Sequence, residues 1–292
     1  MSVPVPDPTV AHFGPDGMRR FALASTYGVQ VPESTSEVLA GVGVPLHVTP
    51  YFLASGRADA LALGVFAAHL GASRPPAELE TWVRIGTDGL AHLCVRPDGA
   101  VQALFLDGDE DNIFVNTNVT AFNAALTALD RKLPVIAASS GLMGAAEAFR
   151  ELNAELRRID AGAFAERESW WSRVLDDVRH VLNFPFSAAF EYVDEAGDKR
   201  VVTEATGPGQ AHPEELVWQR LEAAGVAPEQ VHRVHCDLEP CMMPGHYCAA
   251  WMQQLFPAAE FTHSFDYGVD ADSREAGLKE LITYTAQQAS RR

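Results

Sequence analysis

The stretch VHCDLEPCMMPGHYC, residues 234–248, holds three of the four cysteines of this 292-residue chain. The apolar residues at its start predict the end of a buried strand, and Pro244 with Gly245 predicts a turn before a helix. Cys241 follows the strand and Cys248 follows the turn, so the two thiols flank the connection between them. A clustered pair in a chain so poor in cysteine favours a metal or catalytic site, here within an α/β unit, over a disulfide.

Length and composition limit the architecture and the partners. A chain of 292 residues suggests about two domains. The formal net charge of −17, without a basic run, disfavours nonspecific binding of a nucleic-acid duplex, whose phosphates require a basic face. No apolar run is long enough for a membrane helix, and the N-terminal residues lack a secretory signal pattern. We therefore expect a cytoplasmic protein that does not enter a membrane.

The C-terminal part, residues 183–292, predicts a compact α/β domain with the element order β-β-α-β-α-β-α. A hairpin spans residues 186–206, and a Gly-Pro-Gly loop then leads to a helix that begins at Pro213, where the missing N–H has no cost. Two more strands, each followed by a helix, complete the predicted domain. The first of these two helices begins at or shortly before Cys248.

The N-terminal part, residues 1–182, predicts an α+β domain. Turn signals of the types TDG and PDG separate short apolar runs over residues 81–116, which indicates a meander of about four strands. Helical patterns precede this meander near residues 15–25 and 34–42. Further helical patterns follow it over residues 119–131, 144–159 and 168–183.

Four runs of the N-terminal part carry a family resemblance: LAGVGVP (39–45), IGTDGLAHLCVRPDGAVQAL (85–104), FVNTNVTAFNAAL (114–126) and RRIDAGAFAERESWW (157–171). They are similar to the SUKH superfamily of bacterial immunity-type proteins. The resemblance covers most of residues 10–182 and implies a domain that binds a protein partner, often a toxin. We expect a packing role for Asn116 and Trp170, which fall within the matching runs.

Three side chains of the C-terminal domain form a zinc-type ligand set. His212 stands before the first helix, and parallel packing of two helices would bring it to Cys241 and Cys248. Two thiolates and one imidazole are common zinc ligands, and three protein ligands leave the fourth tetrahedral position to water. Glu214 follows His212 by two residues, where its carboxylate can take a proton from that water and pass it to a leaving amine.

The same residues resemble the H-x-E … P-C-x-x-C pattern of the zinc-dependent nucleobase deaminases. The chain reads HPE at 212–214 and LEPC at 238–241, the latter similar to the tRNA-adenosine type. Six residues instead of two separate Cys241 from Cys248, a loosened spacing that resembles the deaminases of bacterial polymorphic toxin systems. The resemblance covers residues 183–292 and implies a three-layer, cytidine deaminase-like domain, with Zn²⁺ as cofactor and the glutamate of HPE as catalytic residue.

Substrate binding is assigned to residues beside the two cysteines, namely Glu239, Pro240 and His246. The implied substrate is a nucleobase, cytosine or adenine, in a nucleotide or nucleic acid. LEPC favours adenine and the toxin-like resemblance favours nucleic acid, whereas the acidic charge disfavours a long duplex.

Two alternatives stay open at this stage. In the first, a fourth ligand such as His246 closes a structural zinc site in a degenerate deaminase domain, so that the whole protein binds partners without catalysis. In the second, Cys236 replaces Cys248 as a metal ligand. Both alternatives use the same segment of the chain and differ in how its side chains are arranged.

Overall fold

The computed structural model describes residues 7–23, 29, 31–56, 61–106, 112–139, 141–183 and 185–290. Its contacts divide the chain into two compact units. Unit 1 consists of Met1–Leu133 and Arg150–Ser172, and unit 2 consists of Pro134–Phe149 and Arg173–Arg292. The domain boundary between residues 182 and 183 stays a prediction, while the contacts place residues 173–182 in unit 2.

The strands of unit 1 form a short pair and a larger antiparallel sheet. The short pair is β1 (Met18–Arg19) with β2 (Val44–Pro45). The larger sheet has its strands in sequence order: β3 (His47–Val48), β4 (Phe52–Ala54), β5 (Val83–Thr87), β6 (His92–Val95), β7 (Val101–Leu104) and β8 (Ile113–Asn116). The predicted meander over residues 81–116 is confirmed as β5 to β8, and β3 and β4 extend it.

The helices in the first part of the chain are α1 (Pro8–Phe13), α2 (Glu33–Gly41), α3 (Leu63–Leu70), α4 (Val119–Ala137), α5 (Leu142–Ile159) and α6 (Trp170–Asn183). The helix predicted near residues 15–25 is wrong over its described part, because Pro15–Gly17 forms a 3-10 turn and β1 follows. Backbone pairing of β1 with β2 outweighs the local helical preference there. Along the described residues, no helix combines the length and apolarity needed to cross a bilayer.

Buried hydrogen bonds anchor the two motif residues of unit 1. Asn116 donates from Nδ2 to Asp160 Oδ2 over 2.9 Å, and its own Oδ1 accepts from Trp171 Nε1 over 2.7 Å. Trp170 donates from Nε1 to Asp88 Oδ2 over 2.7 Å. All of these side chains are buried. Asn116 and Trp170 therefore hold the interior of the unit together, as expected.

The sheet of unit 2 has the strand order β10-β9-β11-β12. Its strands are β9 (Ser187–Val193), β10 (Lys199–Ala205), β11 (Val231–Leu238) and β12 (Glu260–Phe265), and its later helices are α7 (Pro213–Ala223), α8 (Cys248–Leu255) and α9 (Ala271–Ala289). Strand β9 pairs antiparallel with β10 and β11, whereas β11 and β12 are parallel. The predicted order β-β-α-β-α-β-α is confirmed.

An apolar core fixes these helices on the sheet of unit 2. Phe190 of β9 and Val234 of β11 are fully buried, and they belong to one cluster with Val217 of α7 and Met252 of α8. Burial of each such side chain contributes about 1.5–3 kcal/mol. The packing holds the starts of α7 and α8 in place, where His212 and Cys248 lie, while Cys241 lies in the loop between β11 and α8.

Candidate metal centre

The start of α7 positions His212. This residue is the N-cap of the helix, and its backbone N–H donates to Glu215 Oε2 over 2.8 Å. Pro213 occupies the first helical position, where its fixed φ suits the helix and no donor is lost. The helix start thereby directs the His212 ring into the interior, where the residue is only 4% exposed.

A tight loop carries the chain from Cys241 to the start of α8 at Cys248. Tyr247 has a left-handed backbone with φ of 45°, and its N–H donates to Met243 O over 3.0 Å. Gly245 also has a positive φ, 84°, which glycine adopts without the steric cost that a Cβ brings. The six residues between the cysteines thus form a turn that reverses the chain direction. Both thiols remain buried.

The three predicted ligands come together in space. His212 Nδ1 lies 3.4 Å from Cys241 Sγ and 3.5 Å from Cys248 Sγ. Two atoms bound to one zinc at about 2.1 Å and about 2.3 Å, with a tetrahedral angle between them, lie about 3.6 Å apart. The spacing and chemistry of this buried donor set therefore fit a zinc ion.

The ligands differ in charge. Burial favours a neutral Cys241, yet the Cys248 thiol and the His212 ring hold the pKa of Cys241 well below its ordinary value. Burial and the Cys241 thiolate raise the pKa of Cys248 well above its ordinary value. Burial disfavours a charged His212 ring, but the Cys241 thiolate and Asp177 raise its pKa well above the ordinary value. These shifts favour a proton on His212 and on Cys248 and the thiolate form of Cys241.

Helix α6 contributes a residue that sequence reasoning missed. Asp177 is 3% exposed, and its Oδ1 lies 2.9 Å from His212 Nε2. Its Oδ2 lies 3.2 Å from His246 Nε2. Burial would raise the pKa of Asp177, but the two histidine rings hold it well below its ordinary value. No local signal marks Asp177, because it stands in a helical run with the charge pattern of an ordinary amphipathic helix.

His246 lies beside the three candidate ligands, and both of its ring nitrogens contact carboxylates. Its ring stacks on His212, with centroids 3.8 Å apart and planes 3° apart. Its Nδ1 lies 2.8 Å from Glu215 Oε2, and its Nε2 faces Asp177. Burial works against the charged ring, but these carboxylates raise the pKa of His246 to about 9. Because both ring nitrogens contact carboxylates, this arrangement argues against His246 as a fourth zinc ligand.

Glu214 occupies the first turn of α7 and is 3% exposed. Burial raises the pKa of its carboxyl group. Among the described residues, its Oε2 has no hydrogen-bond partner. A buried carboxylate oxygen without a partner is costly, so this atom marks a place for a small hydrogen-bond donor such as water.

The other candidate residues have different surroundings. Glu239 Oε2 accepts backbone N–H groups of Tyr267 and Gly268 over 3.1 and 3.0 Å, so this carboxylate holds the loop after β12. Pro240 is half-buried. Burial and the neighbouring Glu214 raise the pKa of Cys236. Within the described chain, Cys236 is not part of the group that His212, Cys241 and Cys248 form. This placement does not support Cys236 as a replacement ligand.

A small cavity adjoins the cluster. Its volume is about 10 Å³, the room that about one water molecule needs. It is lined by Asp177, His180, Val181, Phe186, His212, Glu214, Leu238, Glu239, Cys241 and Tyr267. Of the described residues, Pro240 and His246 are not part of this lining, whereas Glu239 is. The sequence did not suggest two of the lining residues, His180 and Tyr267. His180 Nδ1 lies 2.5 Å from the hydroxyl oxygen of Tyr267.

Comparison with known families covers both parts of the chain. A sequence model of the SUKH-4 immunity protein family matches residues 8–177, which is more than half of the chain. The chain belongs to the SUKH-4 immunity protein family. A second model, described as Xanthomonas-like deaminase, matches residues 185–284. No curated protein and no solved structure matches the chain.

This member of the SUKH-4 family thus carries a deaminase-like domain after its immunity domain. Both resemblances inferred from the sequence are confirmed. The deaminase match includes the three clustered ligands and Glu214. Asp177 lies outside that match and is the last residue of the SUKH-4 match.

Proposed function

We propose that the deaminase-like domain is a zinc-dependent enzyme that hydrolytically deaminates a nucleobase, cytosine or adenine, in a nucleotide or nucleic acid. One observation carries this proposal: His212 and Cys241, which form a buried cluster with Cys248, line a cavity together with Glu214, whose Oε2 has no partner within the described chain. A metal ligand set and a neighbouring carboxylate with one free oxygen are the two components that hydrolysis of an amino group requires.

His212, Cys241 and Cys248 would hold the zinc ion through Nδ1 and two Sγ atoms. A zinc ion bound there would act as a Lewis acid on a water molecule and lower its pKa to about 7. Three protein ligands leave one position for that water, which distinguishes a catalytic from a structural zinc site.

Glu214 would move the protons of the reaction. Water adds to the ring carbon that carries the amino group, a carbonyl forms, and ammonia leaves. In this scheme Glu214 takes one proton from the water and delivers it to the ring nitrogen, and then transfers the second to the departing amine. Burial raises the pKa of this carboxyl group, which makes the carboxylate a stronger base towards the water.

The lining of the cavity would exclude bulk water. Phe186 and Leu238 supply apolar surface, and Tyr267 is buried. The cavity holds about one water and not a base, so substrate entry requires lining side chains to move. In the sheet of unit 2, α7 packs on β9 and β10 and α9 packs on β11 and β12, which is compatible with the proposed three-layer, cytidine deaminase-like architecture.

The non-catalytic alternative requires a closed zinc site. The candidate for its fourth ligand is His246, whose two ring nitrogens contact Asp177 and Glu215. That arrangement disfavours His246 in this role and so supports an open position at the metal. The partners follow from the two domains: the SUKH-4 domain would bind a protein, and the deaminase-like domain would bind a nucleotide or nucleic acid.

The first prediction tests Glu214 directly. In the whole chain, Glu214→Gln should keep zinc and thermal stability while deamination falls by about 10²–10⁴-fold, since only the proton transfer is removed. The measurement is ammonia release from a panel of cytosine and adenine nucleosides, nucleotides and single-stranded oligonucleotides, with zinc content from elemental analysis.

Glu222→Gln is the matched control, because Glu222 is an exposed residue of the same helix. It should retain both zinc and activity. Full activity of Glu214→Gln would remove this residue from the mechanism. A zinc-loaded parent protein that releases no ammonia from any substrate in the panel would favour the non-catalytic reading.

A further inference from the structure

We propose that Asp177 of α6 is a positioning residue, which orients His212 as a metal ligand and makes the metal centre depend on a helix outside the deaminase match. The inference rests on the proposed zinc site and deepens it. Residue 177 precedes the matched segment 185–284 and ends the SUKH-4 match. The family match therefore does not contain the whole ligand environment.

The contact between Asp177 and His212 selects one ring nitrogen for the metal. Asp177 Oδ1 lies 2.9 Å from His212 Nε2, on the opposite side of the ring from both thiols. A neutral imidazole carries one N–H, and a carboxylate can only accept, so the hydrogen belongs on Nε2. The lone pair of Nδ1 then faces Cys241 and Cys248, the direction that metal binding requires.

The second oxygen of Asp177 is held as well. Its Oδ2 lies 3.2 Å from His246 Nε2, and His246 Nδ1 lies 2.8 Å from Glu215 Oε2. Glu215 Oε2 in turn accepts the backbone N–H of His212 over 2.8 Å. These contacts form a closed circuit around the stacked histidine rings, so neither Asp177 nor His212 can rotate without breaking a buried hydrogen bond.

The Asp177 carboxylate is buried and therefore needs hydrogen-bond donors. Asp177 is 3% exposed, and a buried carboxylate is expensive unless several donors satisfy it. Val174, Val178 and Val181 of the same helix are buried and hold its backbone in place. A rigid helix that delivers a buried acceptor to the outer nitrogen of a ligand is the arrangement that fixes a metal site.

Asp176 offers a matched control on the neighbouring position. Its Oδ1 accepts from Arg179 over 3.0 Å and its Oδ2 lies 3.7 Å from Arg274, so these two ion pairs are with arginines. Asp176→Asn and Asp177→Asn remove the same charge from the same turn of α6. A general effect of charge or helix stability would act on both variants alike.

The experiment compares zinc affinity of the whole chain, measured by competition with a chromophoric chelator. Asp177→Asn should bind zinc about 10–100-fold more weakly, the usual effect of losing such a partner, whereas Asp176→Asn should match the parent. Long-range ¹H–¹⁵N NMR of His212 gives a second readout: the zinc-loaded parent should show protonated Nε2 and metal-bound Nδ1. Asp177→Asn should lose the downfield Nε2 proton that a carboxylate acceptor produces.

Equal zinc affinity of Asp177→Asn and the parent would overturn the inference, as would equal losses in the two variants or a parent that binds no zinc. Ammonia release separates this inference from the proposed function. If the parent binds zinc but deaminates nothing, and Asp177→Asn binds zinc more weakly, only the proposed function is contradicted. If the parent is active and Asp177→Asn binds zinc as tightly as the parent, only the positioning role is contradicted.

Discussion

At the scale of single residues, the protonation of the three candidate ligands determines how zinc binding depends on pH. The pKa values of His212 and Cys248 are raised well above ordinary, which favours their protonated forms, while the lowered pKa of Cys241 favours its thiolate. A metal ligand must be deprotonated, so binding displaces the protons of His212 and Cys248. Zinc affinity should therefore rise with pH, because proton competition weakens as the solution becomes less acidic.

The second prediction is that zinc binding to the metal-free chain at pH 7 releases about two protons, one from His212 and one from Cys248. Calorimetric titration in buffers of different ionisation enthalpy measures this number. The double variant Cys241→Ser with Cys248→Ser should bind no zinc and release none, while Cys236→Ser should behave like the parent. Release of no proton by the parent would contradict the charge assignment of the cluster.

At the scale of elements, the loop between Cys241 and Cys248 brings the two thiols together. Gly245 has φ of 84° within it, and Gly197 has the same φ in the turn between β9 and β10. A Cβ in this region of backbone space costs about 1–2 kcal/mol. A Cβ at either glycine would therefore add a similar backbone strain, and only Gly245 lies in the loop that joins the two ligands.

The third prediction is that Gly245→Ala and Gly197→Ala each lower the free energy of unfolding by about 1–2 kcal/mol in chemical denaturation. Only Gly245→Ala should also weaken zinc binding in the chelator assay, since it disturbs the reversal that returns Cys248 to Cys241. If both variants or neither weaken zinc binding, the loop geometry does not control the site.

Charge acts at the scale of the whole molecule. The chain has 22 basic and 39 acidic residues, a formal net charge of −17. Such a protein repels a polyanion over a Debye length of about 10 Å at 0.1 M salt. An uncharged nucleoside is not subject to this repulsion, so salt separates the effect of charge from the effect of the site.

The fourth prediction is that kcat/KM for a single-stranded oligonucleotide rises with salt between low and physiological ionic strength, because screening weakens the repulsion. The value for a nucleoside with the same base should stay constant and serves as the control. A fall with salt for the oligonucleotide would instead indicate a local basic groove that neutralises phosphates.

Local signals in the chain predicted much of unit 2. The alternation of β11, the Pro213 helix start and the turn at Pro244 and Gly245 are short-range features, and the structure contains each of them. In unit 1, the helical pattern near residues 15–25 was overruled within the described residues by pairing of β1 with β2. Strand pairing across the chain depends on distant residues, so a local pattern cannot report it.

The sequence by itself determined the chemistry of the candidate site: two thiols, one imidazole and one carboxylate, each placed by a helix start or a turn. Only the tertiary structure decided what surrounds them. It brought Asp177 to His212, 35 residues along the chain, and turned both nitrogens of His246 towards carboxylates. These contacts depend on how α6 packs in unit 2. This packing depends on the summed burial of many apolar side chains, so the spacing of residues in the sequence does not predict it.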